Sequence, residues 1–165
     1  MSLYIFDKDG TVVATLRAVG VASRPPLRCE DQVLKPGVFE KLAALRAAGH
    51  RLALATNQEA VANGLLSLEQ AETLVKNCAA KLGGVDAWRV CPFAPHAKRK
   101  LHGQPNPYAR DDETRKPHAG MILDLMAVLG STPADTIMVG NTHKDRAAAK
   151  AAGVRYIPAS KFFDY

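Results

Sequence analysis

A chain of 165 residues, 47% of them hydrophobic, can bury one sizeable core and is too apolar for wholesale disorder. The net charge of +6 favours anionic ligands, without separating a small phosphate ester from nucleic acid. No apolar run approaches the ~20 residues of a membrane span, no secretory leader is seen, and Cys29, Cys78 and Cys91 are too widely spaced for an obvious disulfide framework, so a cytoplasmic protein with reduced thiols is expected.

The run LYIF, residues 3–6, is predicted to be the first strand. It leads straight into Asp7, Lys8, Asp9 and Gly10, where aspartate and glycine are poor strand residues. Residues 12–34, with Pro25-Pro26 in their middle, read as a loop or small flap. KPGVFEKLAALRAAGH predicts an amphipathic helix with Val38, Leu42, Leu45 and Ala48 on one face, Pro36 near its start and Gly49 at its end. RLALATN, residues 51–57, is a second buried strand. A second helix follows from Ser67, with Gln70 in the capping-box position and Gly83-Gly84 as the stop. AWRV is a short strand candidate, and residues 91–115 read as a long polar loop. PHAGMILDLMAVLG, TIMVG, HKDRAAAKAAG and VRYIP complete the pattern as helix, strand, helix and strand. Phe162-Phe163 reads as packing.

Strands alternating with helices predict a doubly wound, Rossmann-like α/β domain over residues 1–165, a three-layer sandwich around a mostly parallel sheet. Ligands of such sheets bind beyond the carboxyl ends of the strands. The unusual polar residues fall there: Asp7 and Asp9, Thr56 and Asn57, Asn141 and Asp145.

Two carboxylates at i and i+2 share one side of an extended backbone. They are costly at the end of a buried strand unless something positive sits between them. Mg²⁺, a hard cation that takes oxygen ligands and shares its site with phosphate, is the simplest partner. Asp145 and the amide oxygen of Asn141 would approach from a neighbouring strand. One carboxylate would bind metal and the other could attack phosphorus. Thr56 offers a hydroxyl to a phosphoryl oxygen, and Lys116 could neutralise charge on the transferring group. Asp145 also reads as a first-turn carboxylate stabilising its helix.

In order along the chain, DKDGT, a strand ending in Thr56, RKP with Lys116, and VGNTHKD resemble the motifs of the haloacid dehalogenase superfamily of phosphohydrolases. TNQEAVANG and RKPHAGM are similar to segments of the heptose-bisphosphate and histidinol-phosphate phosphatase branch, with polynucleotide 3′-phosphatases a related branch. Without a large insertion, the chain resembles the capless members, whose sites are open. The resemblance implies Asp7 as nucleophile and Mg²⁺ ligand, and Asp9 as general acid and base, its carbonyl also on the metal. It implies Thr56 and Asn57 as phosphoryl contacts and Lys116 as the charge that steadies Asp7. Asn141 falls at the metal-ligand aspartate position and Asp145 at the second acidic position of the same motif. Asparagine there keeps an oxygen ligand but brings no charge.

That branch often carries a zinc site in the long loop. Here Cys91, His96 and His102 fall short of a full tetrahedral set, so no zinc is expected. HAKRKLH reads mainly as a solvated loop face, yet Lys98, Arg99, Lys100, Arg110 and Arg115 are candidate substrate contacts by position. The expected protein is a monomeric Mg²⁺-dependent phosphatase of a small sugar or metabolite phosphate, heptose bisphosphate by resemblance. The alternatives are a polynucleotide 3′-phosphatase, with nucleic acid as partner, and a phosphate-binding protein with little turnover.

Overall fold

The computed structural model describes residues 1–165. Strand β1 (Leu3–Phe6) is followed by an antiparallel hairpin of β2 (Leu16–Ala18) and β3 (Val21–Arg24). Then come α1 (Val38–Ala47), β4 (Arg51–Asn57), a single turn α2 (Glu59–Ala62), α3 (Leu68–Lys81) and β5 (Ala87–Cys91). A second small hairpin, β6 (Lys100–Leu101) and β7 (Gln104–Pro105), precedes α4 (Gly120–Leu129), β8 (Thr136–Gly140), α5 (His143–Ala152), β9 (Arg155–Pro158) and α6 (Ala159–Phe163).

β1, β4, β5, β8 and β9 form one fully parallel sheet in the order β5-β4-β1-β8-β9. β1 is its centre, in register Leu3 to Arg51 on one side and Leu3 to Thr136 on the other. The alternation of strand side chains divides the core in two. Leu3, Ile5, Ala53 and Ala55 face α4 and α5, meeting Met121, Ile122, Leu125, Ala148 and Ala149. Phe6, Leu52 and Leu54 face the other way, onto Val38 and Leu42 of α1, Val75 and Cys78 of α3, and Phe163 of α6. This is the expected doubly wound three-layer sandwich. Burial of each Leu, Ile or Phe of this kind contributes about 1.5–3 kcal/mol, which offsets the charges buried at the strand ends.

Helix α3 starts with the capping box read from the sequence: Ser67 accepts from the Gln70 amide, and the Gln70 side chain accepts from the Ser67 amide. Some details differ. Ala48 is the exposed C-cap of α1 and takes no part in its buried face. α4 begins at Gly120, because residues 117–119 form a turn whose Gly120 amide reaches back to the Glu113 carbonyl. α2 and α6, four and five residues long, are too short to show a period. Residues 12–34 hold the β2–β3 hairpin as a flap, both strands largely exposed, and the long loop holds β6–β7. No helix is long and apolar enough to cross a membrane.

Candidate active site

The carboxyl ends of β1, β4 and β8 lie side by side, and the chain brings a lysine to their meeting point. Lys116, 2% exposed, donates from Nζ to Asp7 Oδ1 at 2.7 Å, to Asp145 Oδ1 at 2.6 Å and to the Ala55 carbonyl at 2.8 Å. All three ammonium protons are therefore used. Burial alone would push this ammonium down, but Asp7 and Asp145 outweigh it and hold Lys116 above its ordinary value. Burial pushes Asp7 up to about 6, against the pull of Lys116 and with help from the Asp145 charge.

Lys116 is itself held by β4. Asn57 donates from Nδ2 to the Lys116 carbonyl at 2.9 Å and accepts the Lys116 amide on Oδ1 at 3.1 Å. Its side chain thus reads the backbone of residue 116. Asp145 is fixed by its own helix. Its Oδ2 accepts from the Asn141 and Thr142 amides at 3.1 and 3.0 Å and from the Thr142 hydroxyl at 2.9 Å, while Thr142 caps α5. With Oδ1 on Lys116, both oxygens of this carboxylate are engaged. The close fit needs glycine twice. A Cβ on Gly140 would stand 2.5 Å from Asp145 Oδ2, and one on Gly10, whose φ is +85°, would stand 2.3 Å from Asn141 Nδ2.

Asp9 is clamped at both ends. Its Oδ1 accepts from Lys8 Nζ at 2.5 Å and its Oδ2 from Gln58 Nε2 at 2.9 Å. Gln58 Nε2 also lies 2.8 Å from Thr56 Oγ1. Lys8 is fully buried, and neither it nor Gln58 stands out by residue type. The signal for Lys8 was its place between two aspartates, where an ammonium can offset their charge. Gln58 carries no such mark.

A cleft of about 360 Å³ opens over these groups, and Asp7, Asp9, Thr56, Asn57, Lys116 and Asp145 all line it. Its walls include Arg24 and Pro25 of the flap, Leu27, Leu65, and Lys144 paired with Glu59. Other residues singled out from the sequence lie elsewhere. Arg115 is buried, donating to the Phe93 carbonyl at 3.0 Å and pairing with Glu59. Lys98, Arg99 and Lys100 are exposed on and before β6, outside the cleft lining. Arg110 stacks 4.3 Å over the Phe93 ring and pairs with Asp112. Cys91 is buried while His96 and His102 are exposed, and no three His, Cys, Asp or Glu side chains gather as a metal cage.

The oxygens suit a hard cation that keeps part of its water. The Thr11 hydroxyl lies 3.2 Å from Asp7 Oδ2 and 3.1 Å from Asn141 Oδ1, so its single proton serves one at a time and two oxygen ligands converge there. The Asp9 carbonyl accepts no hydrogen bond from the protein. Asp145 turns Oδ2 to its helix cap and Oδ1 to Lys116.

Fold and site together define a Rossmann-like α/β protein organised around an aspartate at the end of its central strand. Residues 26–153 match the haloacid dehalogenase-like hydrolases, and the chain belongs to that family. It is 38% identical over 122 residues to D-glycero-beta-D-manno-heptose-1,7-bisphosphate 7-phosphatase of Vibrio cholerae, covering 72% of this chain and 62% of that one. The Rhodopseudomonas palustris protein of the same name is 31% identical over 152 residues, covering 90% and 77% of the two chains. Among solved structures, the D,D-heptose 1,7-bisphosphate phosphatase of B. bronchiseptica, complexed with magnesium and phosphate, superposes with a TM-score of 0.72 at 27% identity, covering 94% of this chain and 79% of that one. The Burkholderia thailandensis enzyme shares the fold, with a TM-score of 0.57 at 22% identity, covering 94% and 76%.

Proposed function

We propose that the chain hydrolyses phosphate monoesters through an aspartyl-phosphate on Asp7, with a small sugar bisphosphate as the favoured substrate class. The observation that carries this reading is the buried Asp7–Lys116–Asp145 array at the floor of an open cleft. A carboxylate oxygen of Asp7 attacks phosphorus and the bond to the leaving oxygen breaks. The leaving oxygen keeps the electron pair and takes a proton from Asp9. A water then gives its proton to Asp9 and attacks the phosphoryl group, which releases phosphate and regenerates Asp7. Lys116 offsets charge on the phosphoryl oxygens and keeps Asp7 in place. The Thr56 hydroxyl and the amides of Lys8 and Asp9, which donate to no protein acceptor, receive those oxygens. Asp7, the Asp9 carbonyl and the Asn141 amide oxygen would hold Mg²⁺, which supplies charge neutralisation at the phosphoryl group. Asp145 acts through Lys116 and the α5 cap.

The substrate class rests on the relatives' names together with the cleft walls. Arg24 adds an unpaired cation to the lining beyond Lys116, a place for a second anionic group, while Lys144 pairs with Glu59 at 3.4 Å. Asn141 favours a second reading, a phosphate-binding protein of low turnover, because an amide brings no charge to the metal. Assaying phosphate release from sugar monophosphates, sugar bisphosphates and a 3′-phosphorylated oligonucleotide, with and without Mg²⁺, tests both. Turnover of a bisphosphate that is lost with chelator supports the first reading. Preference for the oligonucleotide, or binding without release, overturns it.

A further inference from the structure

We propose that Gln58 is a positioning residue with two effects: it turns the Thr56 hydroxyl proton into the cleft, and it fixes the direction of the Asp9 carboxylate. The inference rests on the phosphoryl-transfer reading above. A carboxylate only accepts hydrogen bonds, so the end of Gln58 that faces Asp9 Oδ2 at 2.9 Å is its NH₂. The same nitrogen lies 2.8 Å from Thr56 Oγ1, which must therefore accept. A hydroxyl has one proton. Thr56 is 1% exposed and its hydroxyl donates to no protein acceptor, so that proton needs an acceptor inside the cleft. A phosphoryl oxygen is the acceptor of that chemistry. Without Gln58, the hydroxyl rotor has no fixed direction, and a phosphoryl oxygen must order it on binding.

The second effect concerns Asp9. With Lys8 on Oδ1 and Gln58 on Oδ2, the carboxyl group cannot rotate without breaking a bond, and each oxygen keeps a lone pair that can carry the proton for the leaving group and later take one from water. An aryl phosphate has a leaving group that departs without a proton. An alkyl phosphate requires one. The two ester types therefore separate a loss at Asp9 from a loss elsewhere.

The test is a double-substitution cycle with Gln58→Met, Thr56→Val and the pair, in Mg²⁺ buffer, reading orthophosphate affinity by calorimetry. Gln58→Met should weaken phosphate binding about tenfold, and should add less than twofold in the Thr56→Val background, because its effect passes through that hydroxyl. Gln58→Glu, which keeps the shape but gives Thr56 an acceptor, should lose at least as much. In parallel, kcat of Gln58→Met should fall at least tenfold more for a sugar phosphate than for p-nitrophenyl phosphate. Additive losses in the cycle, unchanged phosphate affinity, no phosphate binding by the parent chain, or equal falls for the two esters would overturn the proposal. A parent chain that binds phosphate and shows the coupled cycle, yet cleaves neither ester, would instead remove the hydrolase reading and leave the Thr56 role standing.

Discussion

Two basic regions of this chain behave in opposite ways. At the cleft floor, Lys8 and Lys116 are sealed from solvent and each ammonium sits on carboxylate oxygen. In the long loop, Lys98, Arg99 and Lys100 are exposed and lie outside the cleft lining, while Arg110 and Arg115 are used by Phe93, Asp112 and Glu59. The net charge of +6 adds both regions together and so hides the distinction. A cation taken out of water must be paid for by partners, which fixes its geometry. A solvated one is free to do little.

The largest effect that would test this contrast is loss of Asp7. Asp7→Asn should abolish hydrolysis, by more than about a thousandfold, because the proposed covalent step has no substitute. It should also stabilise the metal-free protein. Asp7 is held at about 6 against an ordinary 3.8, so its contribution to stability is intact below the lower value and is lost as pH rises through the upper one. Melting in chelator should show the variant more stable at pH 7.5, with the gap closed near the ordinary carboxylate range. A variant less stable than the parent at neutral pH would show that the Lys116 pair outweighs burial.

Next comes Lys116→Met. It leaves Asp7 and Asp145 as buried carboxylates without their shared cation, and should cost about 3–5 kcal/mol in denaturant unfolding at neutral pH. Part of this should return in mild acid, where the freed carboxyls protonate. A loss under about 1 kcal/mol would place Lys116 among ordinary surface charges. A smaller change is expected from Asn141→Asp. The added carboxylate faces the Thr11 hydroxyl beside Asp7, and Mg²⁺ affinity should rise about tenfold. Paired titrations of melting temperature against Mg²⁺ would read it, and superimposable curves would remove Asn141 from the ligand set. The smallest effect belongs to the loop. Arg99→Ala should change kcat/KM by less than about twofold and stability by less than about 0.5 kcal/mol. A tenfold loss on a bisphosphate would bring the loop back to the substrate.

The same contrast explains what could be read in advance. Strands such as RLALATN and TIMVG, and α3 with its Ser67–Gln70 box, follow from local pattern and cap chemistry, and they place the strand ends correctly. Asp7, Asp9, Thr56 and Lys116 meet because strand order does the rest. The parts that escaped depend on side-chain direction in three dimensions. Asn57, expected as a phosphate contact, lines the cleft and also holds the Lys116 backbone with its side chain, which no local pattern shows. Asp145, expected as a metal ligand or a cap, caps α5 and also pairs with Lys116, a partner that sequence spacing does not show. Arg115 sits beside Lys116 in sequence but turns under Phe93. Neither Gln58 nor Lys8 declares its partners by residue type.

The central place of β1 has a consequence for how the molecule assembles. Leu3 pairs with Arg51 on one flank but with Thr136 on the other, so the middle of the sheet cannot close until almost the whole chain is present. Contacts of such long sequence separation slow folding, since loop-closure entropy is spent before any reward. During synthesis, β1 and β4 can pair early, leaving an unsatisfied edge and the Asp7 charge waiting for Lys116, whereas Asp9 already has Lys8 and Gln58. The anionic site is thus completed in one of the last steps, and an incomplete nascent chain presents a bare strand edge beside an unpaired Asp7.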